Sequence, residues 1–358
     1  MESFSRITGA SVDSDWREIL KNSGVSAEEI ERKFNVDTSG IKVVAEKYPM
    51  RINPYYFSLI KKVDDPLWIQ AVPSMSELED SVNSADPLFE EGQSPTSSII
   101  HRYPDRVIFL VSNKCAMYCR HCMRKRKVGD GALHFSVNGS LIEDGLDYIR
   151  DNKNISDVIL SGGDPLLLDT SELDYILNEI HKIPHVDIIR IHSRVLCTLP
   201  QRITDNLVSV LKKYHPLYIN THFNHPDELT GEASKASSKL ADAGIALGNQ
   251  TVLLKGVNDS SETMIKLMKK LLKNRIRPYY LHHPDQVKGT GHLRPAVSKG
   301  LEIMKDLRGF NSGLCVPQYM IDLPGGGGKV PLLPDYVKKM SGDTYFVQNY
   351  AGKVFEYC

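Results

Sequence analysis

Apolar and polar positions follow two rhythms along this chain, and the change falls near residue 100. Before it, apolar residues recur at helical spacing over 15–22, 26–34, 40–46 and 54–61, with prolines and polar turns between them. That pattern, with no convincing run of strands, predicts a helical N-terminal region over 1–100. From about residue 106, short apolar runs take over. Segments 107–112, 157–160, 187–193, 217–222, 246–253 and 276–282 read as buried strands. Helical patterns at 140–151, 171–182, 203–213 and 262–273 lie between them. Strands alternating with helices predict an α/β fold of parallel βαβ units.

Six such units favour a barrel or partial barrel over an open sheet. Polar residues repeatedly follow the strands: the cysteines after the first, then Gly162-Gly163-Asp164, Ser193-Arg194, His222 and Gln250. That is the end at which (β/α) barrels carry their active sites. A last unit, 315–322, leads into Pro324-Gly-Gly-Gly-Gly-Lys329. The expected division is therefore 1–100, a barrel over 101–308 and a C-terminal segment over 309–358.

Composition adds exclusions. Lys+Arg and Asp+Glu both number 44, so no global charge draws the protein to nucleic acid or anionic lipid. The start, Met-Glu-Ser-Phe-Ser-Arg, lacks a secretory pattern, and the longest apolar runs are strand-sized. A cytoplasmic location, without nucleic-acid or membrane partners, is the expectation.

Of six cysteines, Cys115, Cys119 and Cys122 form a C-x3-C-x2-C run, while Cys197, Cys315 and Cys358 are scattered and read as inert. Three thiolates on one short loop suit three irons of a cubane cluster and leave the fourth iron open. A structural zinc would want a fourth ligand, for which His121 is the nearest. Lys329 does not belong to a P-loop, because Val330-Pro331 follows it where Ser or Thr should open a helix.

Spacing alone carries the reading no further, but the motifs resemble a known family. Cys115-Ala-Met-Tyr-Cys119-Arg-His-Cys122 is similar to the cluster loop of radical S-adenosylmethionine (SAM) enzymes, and Ser161-Gly-Gly-Asp-Pro165 to their glycine-rich strip. Pro324 to Pro331 resembles the pyridoxal 5′-phosphate (PLP) segment of the lysine 2,3-aminomutase family. The likeness continues through His101-Arg-Tyr-Pro-Asp-Arg106, Leu199-Pro-Gln-Arg202, Asn220-Thr-His-Phe-Asn-His-Pro226, Leu247-Gly-Asn-Gln250 and Arg277-Pro-Tyr-Tyr280, covering about residues 50 to 340.

The resemblance implies a partial (βα)6 TIM-like barrel, a homodimer, and an isomerase that converts L-α-lysine to β-lysine by a 5′-deoxyadenosyl-radical mechanism with PLP. It implies a [4Fe–4S] cluster on Cys115, Cys119 and Cys122. It places Gly162, Gly163, Asp164, Ser193, His222 and Gln250 around SAM. PLP would be held by Lys329, with Arg102, Tyr103 and Arg106 beside it. Arg124 matches the residue that pairs with the substrate carboxylate. Asp285 and Asp322 match the pair that binds the distal ammonium of lysine, where glutamate-acting relatives carry a basic residue and an amide. Otherwise each of these reads as an ordinary strand-end, turn or surface residue, and the run Arg124-Lys-Arg-Lys127 as a solvated loop.

The implied partners are lysine and an electron donor such as flavodoxin or ferredoxin. Shorter relatives supply β-lysine for elongation factor P. With Ser260 where longer relatives carry a zinc-binding cysteine, and no cysteine-rich tail after Cys358, no structural zinc is expected. The competing expectations are an aminomutase acting on another amino acid such as glutamate, a SAM enzyme without PLP, and a binding module built on residues 124–127.

Overall fold

The computed structural model describes residues 16–128 and 139–358. The expectation drawn from the first six residues lies outside them. Five short helices open the described chain: α1 (Trp16–Lys21), α2 (Ala27–Phe34), α3 (Ser39–Lys47), α4 (Pro54–Leu59) and α5 (Pro66–Ala71). Their boundaries are written locally. Ser26 and Glu29 form a reciprocal capping box before α2, and Asn35 ends it in the left-handed region. Proline opens both α4 and α5, with Asn53 and Asp65 accepting from the first-turn N–H groups.

Nine strands then form one sheet whose spatial order is the chain order. They are β1 (Ile99–Tyr103), β2 (Arg106–Ser112), β3 (Asp157–Gly162), β4 (Ile188–His192), β5 (Leu217–Thr221), β6 (Ala246–Val252), β7 (Arg277–His282), β8 (Gln318–Leu323) and β9 (Gly328–Pro331). Neighbours from β2 to β8 are parallel, while β1 and β9 run antiparallel at the two edges. The crossovers carry α6 (Gly139–Asp151), α7 (Thr170–His181), α8 (Val195–Thr198), α9 (Asp205–Leu211), α10 (Gly231–Asp242), α11 (Ser261–Lys273) and α12 (Val297–Leu307).

A parallel sheet wound in chain order curls on itself, because each right-handed crossover advances the chain the same way. Side chains alternate accordingly. Asp157, Ile159 and Ser161 on β3, Arg190 and His192 on β4, Tyr280 and His282 on β7, and Met320 and Asp322 on β8 all line one interior cavity. Between them, Val158, Leu160, Ile189 and Ile191 are buried in the main core cluster. Helices meet that outer face through apolar stripes such as Ile142, Leu146 and Ile149 of α6 and Met264, Leu267, Met268 and Leu271 of α11. Gly145 lets α6 lie close: a Cβ there would stand 2.4 Å from the Phe109 ring. This is the nearly closed, partial barrel of an α/β fold.

Two regions differ from expectation. Strand β1 begins inside the span read as helical. Beyond β9, a separate antiparallel sheet follows, with β10 (Val337–Ser341), β11 (Thr344–Gln348) and β12 (Val354–Tyr357). Most of its residues are exposed, so no one-sided apolar alternation announces it. Strands β8 and β9 belong to the barrel sheet, so the sheet runs on past residue 308. Among the described residues, no helix is long and apolar enough to cross a membrane.

A candidate active site inside the barrel

The cavity holds about 590 Å³. Cys115, Cys119 and Cys122 line one part of it and Lys329, Arg102 and Asp322 another. All three cysteines are free thiols. Their loop follows β2 and leans on the N-terminal helices: Tyr118 N–H donates to the Arg51 carbonyl at 3.0 Å and Arg120 N–H to that of Gln70 at 2.9 Å. Asn53 reaches from the start of α4 to the Ala116 carbonyl at 3.1 Å.

Behind the loop, the buried Glu77 carboxylate takes Arg120 Nε at 2.8 Å and Nη2 at 2.5 Å, and Lys125 Nζ at 2.6 Å. Burial opposes ionisation of Glu77, but Arg120 and Lys125 outweigh it and hold the carboxyl below its usual range. Burial pushes the Cys122 thiol up to about 11 and Cys115 well above the ordinary thiol value. A metal must therefore displace their protons.

Among the described residues, no three Cys, His, Asp or Glu side chains are gathered as for a single ion. Three thiols from one short loop that line the same cavity are the donor set a cubane cluster takes. The glycine strip supports the same fit. Gly162 has φ +122°, and a Cβ on it would lie 2.2 Å from the Ser112 carbonyl oxygen. A Cβ on Gly163 would lie 2.4 Å from that of Lys114. Only glycine lets the end of β3 run this close to the backbone entering the cysteine loop.

Asp164 accepts from Ser193 Oγ and Arg194 N–H, each at 2.7 Å, and from Leu166 N–H at 3.1 Å. Burial nevertheless raises its carboxyl to about 6. Gly162, Gly163, Asp164, His222 and Gln250 all line the cavity. Ser193 does not: it is buried behind Asp164 and turns its hydroxyl to that carboxylate. His222 Nδ1 faces the Gln250 carbonyl at 3.2 Å, and burial lowers its pKa to about 4. The same desolvation keeps His192 and His282 neutral, so imidazoles without charge form part of the wall.

At the other end, the Lys329 ammonium bonds the Asp322 carboxylate, and Arg102 Nη1 reaches the second oxygen at 3.1 Å. Tyr103 Oη accepts the Lys329 backbone N–H at 2.8 Å. Arg102 also donates to Gln93 at 2.8 Å and to the Leu88 carbonyl at 3.0 Å. Arg106 lies over the Tyr103 ring at 4.1 Å and pairs with Asp105. Of the two arginines, Arg106 thus has the freer guanidinium for a phosphate.

Asp285 lines the cavity, and burial first, then the Asp322 charge, raise its carboxyl to about 7. Arg124 is buried, with Nη2 and Nε on Glu90 at 2.8 and 3.1 Å and Nη1 on Ser161 at 3.2 Å. The basic run is not the solvated loop its sequence suggests. Arg126 pairs with Asp86, Glu90 and Glu91, and Lys127 with Glu91. Arg194 stands out in the sequence only as a polar residue after a strand, with no role attached, and Glu77, Glu90, Glu228, His192 and His282 are not singled out there. The last two sit at strand ends of the kind that flagged His222, so the same signal could have found them.

Comparison with known proteins agrees with this geometry. The Radical SAM superfamily model matches residues 109–268, and the Lysine-2,3-aminomutase model matches residues 304–358. The L-lysine 2,3-aminomutase of Methanococcus maripaludis is 49% identical, over 97% of this chain and 82% of its own length. That of Clostridium subterminale is 45% identical, over 96% of this chain and 84% of its own. The glutamate 2,3-aminomutase of Clostridioides difficile is 48% identical, over 88% of this chain and 75% of its own. With thiols, glycine strip and glycine-flanked lysine around one cavity, and relatives this similar along nearly the whole chain, the protein belongs to the lysine 2,3-aminomutase family of radical SAM enzymes.

Proposed function

We propose that this protein is an L-lysine 2,3-aminomutase, moving the amino group of L-α-lysine from C2 to C3 to give β-lysine. The observation that carries the choice of lysine is the pair of carboxylates, Asp285 and Asp322, lining the cavity that also holds the thiols and Lys329. A glutamate side chain would bring a third carboxylate to that pair. Lysine brings an ammonium.

The enzyme works with a [4Fe–4S] cluster, SAM and PLP, which when bound supply the radical chemistry and the stabilisation of the migrating nitrogen. The chain's own residues bind, orient and exclude water. Cys115, Cys119 and Cys122 ligate three irons. Gly162 and Gly163 allow SAM close to the backbone, with Asp164, His222 and Gln250 around it and Ser193 holding Asp164. Lys329 holds PLP, flanked by Tyr103, with Arg106 and Arg102 for its phosphate. Arg124 orients the substrate carboxylate. Asp322, together with Asp285, would offer carboxylate oxygens to the substrate ammonium. The electron comes from a low-potential donor of the flavodoxin or ferredoxin class.

A homodimer is supported by exposed Val337, Met340, Tyr345, Phe355 and Tyr357 on the β10–β12 sheet. Light scattering of the eluted protein checks it. The activity is tested by anaerobic reconstitution with reductant, SAM, PLP and either L-lysine or L-glutamate, with products read by mass spectrometry. β-Lysine that disappears in Cys119→Ala and Lys329→Ala supports the reading. β-Glutamate alone would overturn the substrate.

A further inference from the structure

Arg194 has no place in the roles above, yet few side chains here are so fully engaged. It is buried between the end of β4 and α8. Nη1 donates to the Cys119 sulfur at 2.8 Å. Nη2 donates to Gln70 Oε1 at 2.6 Å and to Glu228 Oε1 at 2.8 Å, and Nε to the His222 carbonyl at 3.1 Å. Held on three sides, the guanidinium is fixed in plane and direction.

Its counter-ion is fixed as well. Glu228 is fully buried and also accepts from Tyr56 Oη at 2.8 Å, Gln70 Nε2 at 3.0 Å, and the backbone N–H groups of Asn224 and His225 at 2.6 and 3.0 Å. A buried cation needs such a partner. The pairing leaves the other terminal nitrogen aimed at one sulfur of the cysteine loop. For contrast, the Cys122 sulfur receives a neutral backbone N–H, that of Arg124, at 3.3 Å.

We propose that Arg194 is a positioning residue that sets the reduction potential of the iron–sulfur cluster through the Cys119 sulfur. This rests on the reading that the three cysteines ligate that cluster. In the step concerned, one electron passes from a low-potential one-electron donor to the cluster, and no other bond forms or breaks. The electron adds one negative charge spread over irons and sulfurs. A fixed cation hydrogen-bonded to a ligand sulfur favours the more negative state, and a site shielded from water strengthens the effect. Arg194 thus eases a reduction that would otherwise demand a still stronger donor.

The test is an electron paramagnetic resonance (EPR) redox titration of the reconstituted full-length wild type, Arg194→Lys and Arg194→Gln, each with its iron and sulfide measured. Arg194→Gln is expected to hold at least roughly tenfold less reduced cluster at a given solution potential, equivalent to a fall of about 59 mV for a one-electron couple. Arg194→Lys, which keeps the charge, should fall between it and wild type. A fully loaded Arg194→Gln with the wild-type midpoint overturns the proposal and leaves the cluster reading intact. Wild type that takes up no cluster overturns that reading instead. Should Arg194→Gln fail to load, wild type labelled with guanidino-15N arginine decides by pulsed EPR. A 15N coupling to the reduced cluster is expected, and its absence overturns the proposal.

Discussion

Behind the cysteine loop, one set of ion pairs stands outside the cavity; around Lys329, the pairs are in its wall. Glu77 with Arg120 and Lys125 is a buried support behind the cysteine loop, and Glu228 is buried behind Arg194, which itself reaches the cavity. The cavity surface in front of them carries the three thiols and neutral imidazoles. Asp322, by contrast, lines the cavity with both of its cations, Lys329 and Arg102, and Asp285 lies there too. Buried pairs behind a wall have nothing to exchange with. Pairs inside a cavity can be broken by any ligand that offers a better partner, so the first end reads as fixed scaffold and the second as exchangeable charge.

The most drastic way to probe the two ends is to remove one anchor from each. Cys119→Ala and Lys329→Ala are both expected to reduce β-lysine formation to background, but by separate routes. Reductive cleavage of SAM should vanish in the first and persist in the second, which product analysis distinguishes.

Next comes the scaffold. Glu77→Gln leaves Arg120 and Lys125 without their buried counter-ion and should cost about 3–5 kcal/mol of stability, read from denaturant unfolding. The wall is expected to respond differently: Asp285→Asn should unfold near the wild-type midpoint. Its kcat/KM for lysine should drop by roughly 30- to 3,000-fold, the equivalent of about 2–5 kcal/mol. A destabilised Asp285→Asn with unchanged kcat/KM would erase the distinction.

The smallest test is pH. A carboxyl raised to about 7 holds its proton to higher pH, and only its ionised form attracts an ammonium. Lysine kcat/KM should therefore fall as pH drops through about 7 and level above it, while SAM binding does not follow that curve. Asp285→Asn should flatten the profile.

How much of this could be read from the sequence differs between the two ends. The anchors were legible, because cysteine spacing and a glycine-flanked lysine are local patterns. So were the barrel strands, whose buried runs alternate with helices. The supports were not. Glu77, Glu90 and Glu228 reach partners 34 to 48 residues away, and nothing local marks a glutamate that will meet an arginine across the fold. The run Arg124 to Lys127 misled for the same reason, since its acidic partners lie in 77–91. Ser193 was seen as polar at a strand end, but period alone does not tell whether such a side chain faces the cavity or the carboxylate beside it. Strands β10 and β12 are exposed throughout and β11 is at most half-buried, so they carry no burial pattern to read.

The barrel sheet stops short of closing. Its edge strands, β1 and β9, are not bonded to each other as strands; Tyr103 meets the Lys329 N–H instead, and Arg102 meets Asp322 on β8. The seam is thus stitched by side chains expected to handle the cofactor and the substrate ammonium. Ligand binding and barrel closure then share one free energy: whatever engages those residues tightens the seam, and whatever strips them loosens it. The linkage runs both ways, so PLP should raise the melting temperature of the whole barrel, and further with each increase in its free concentration.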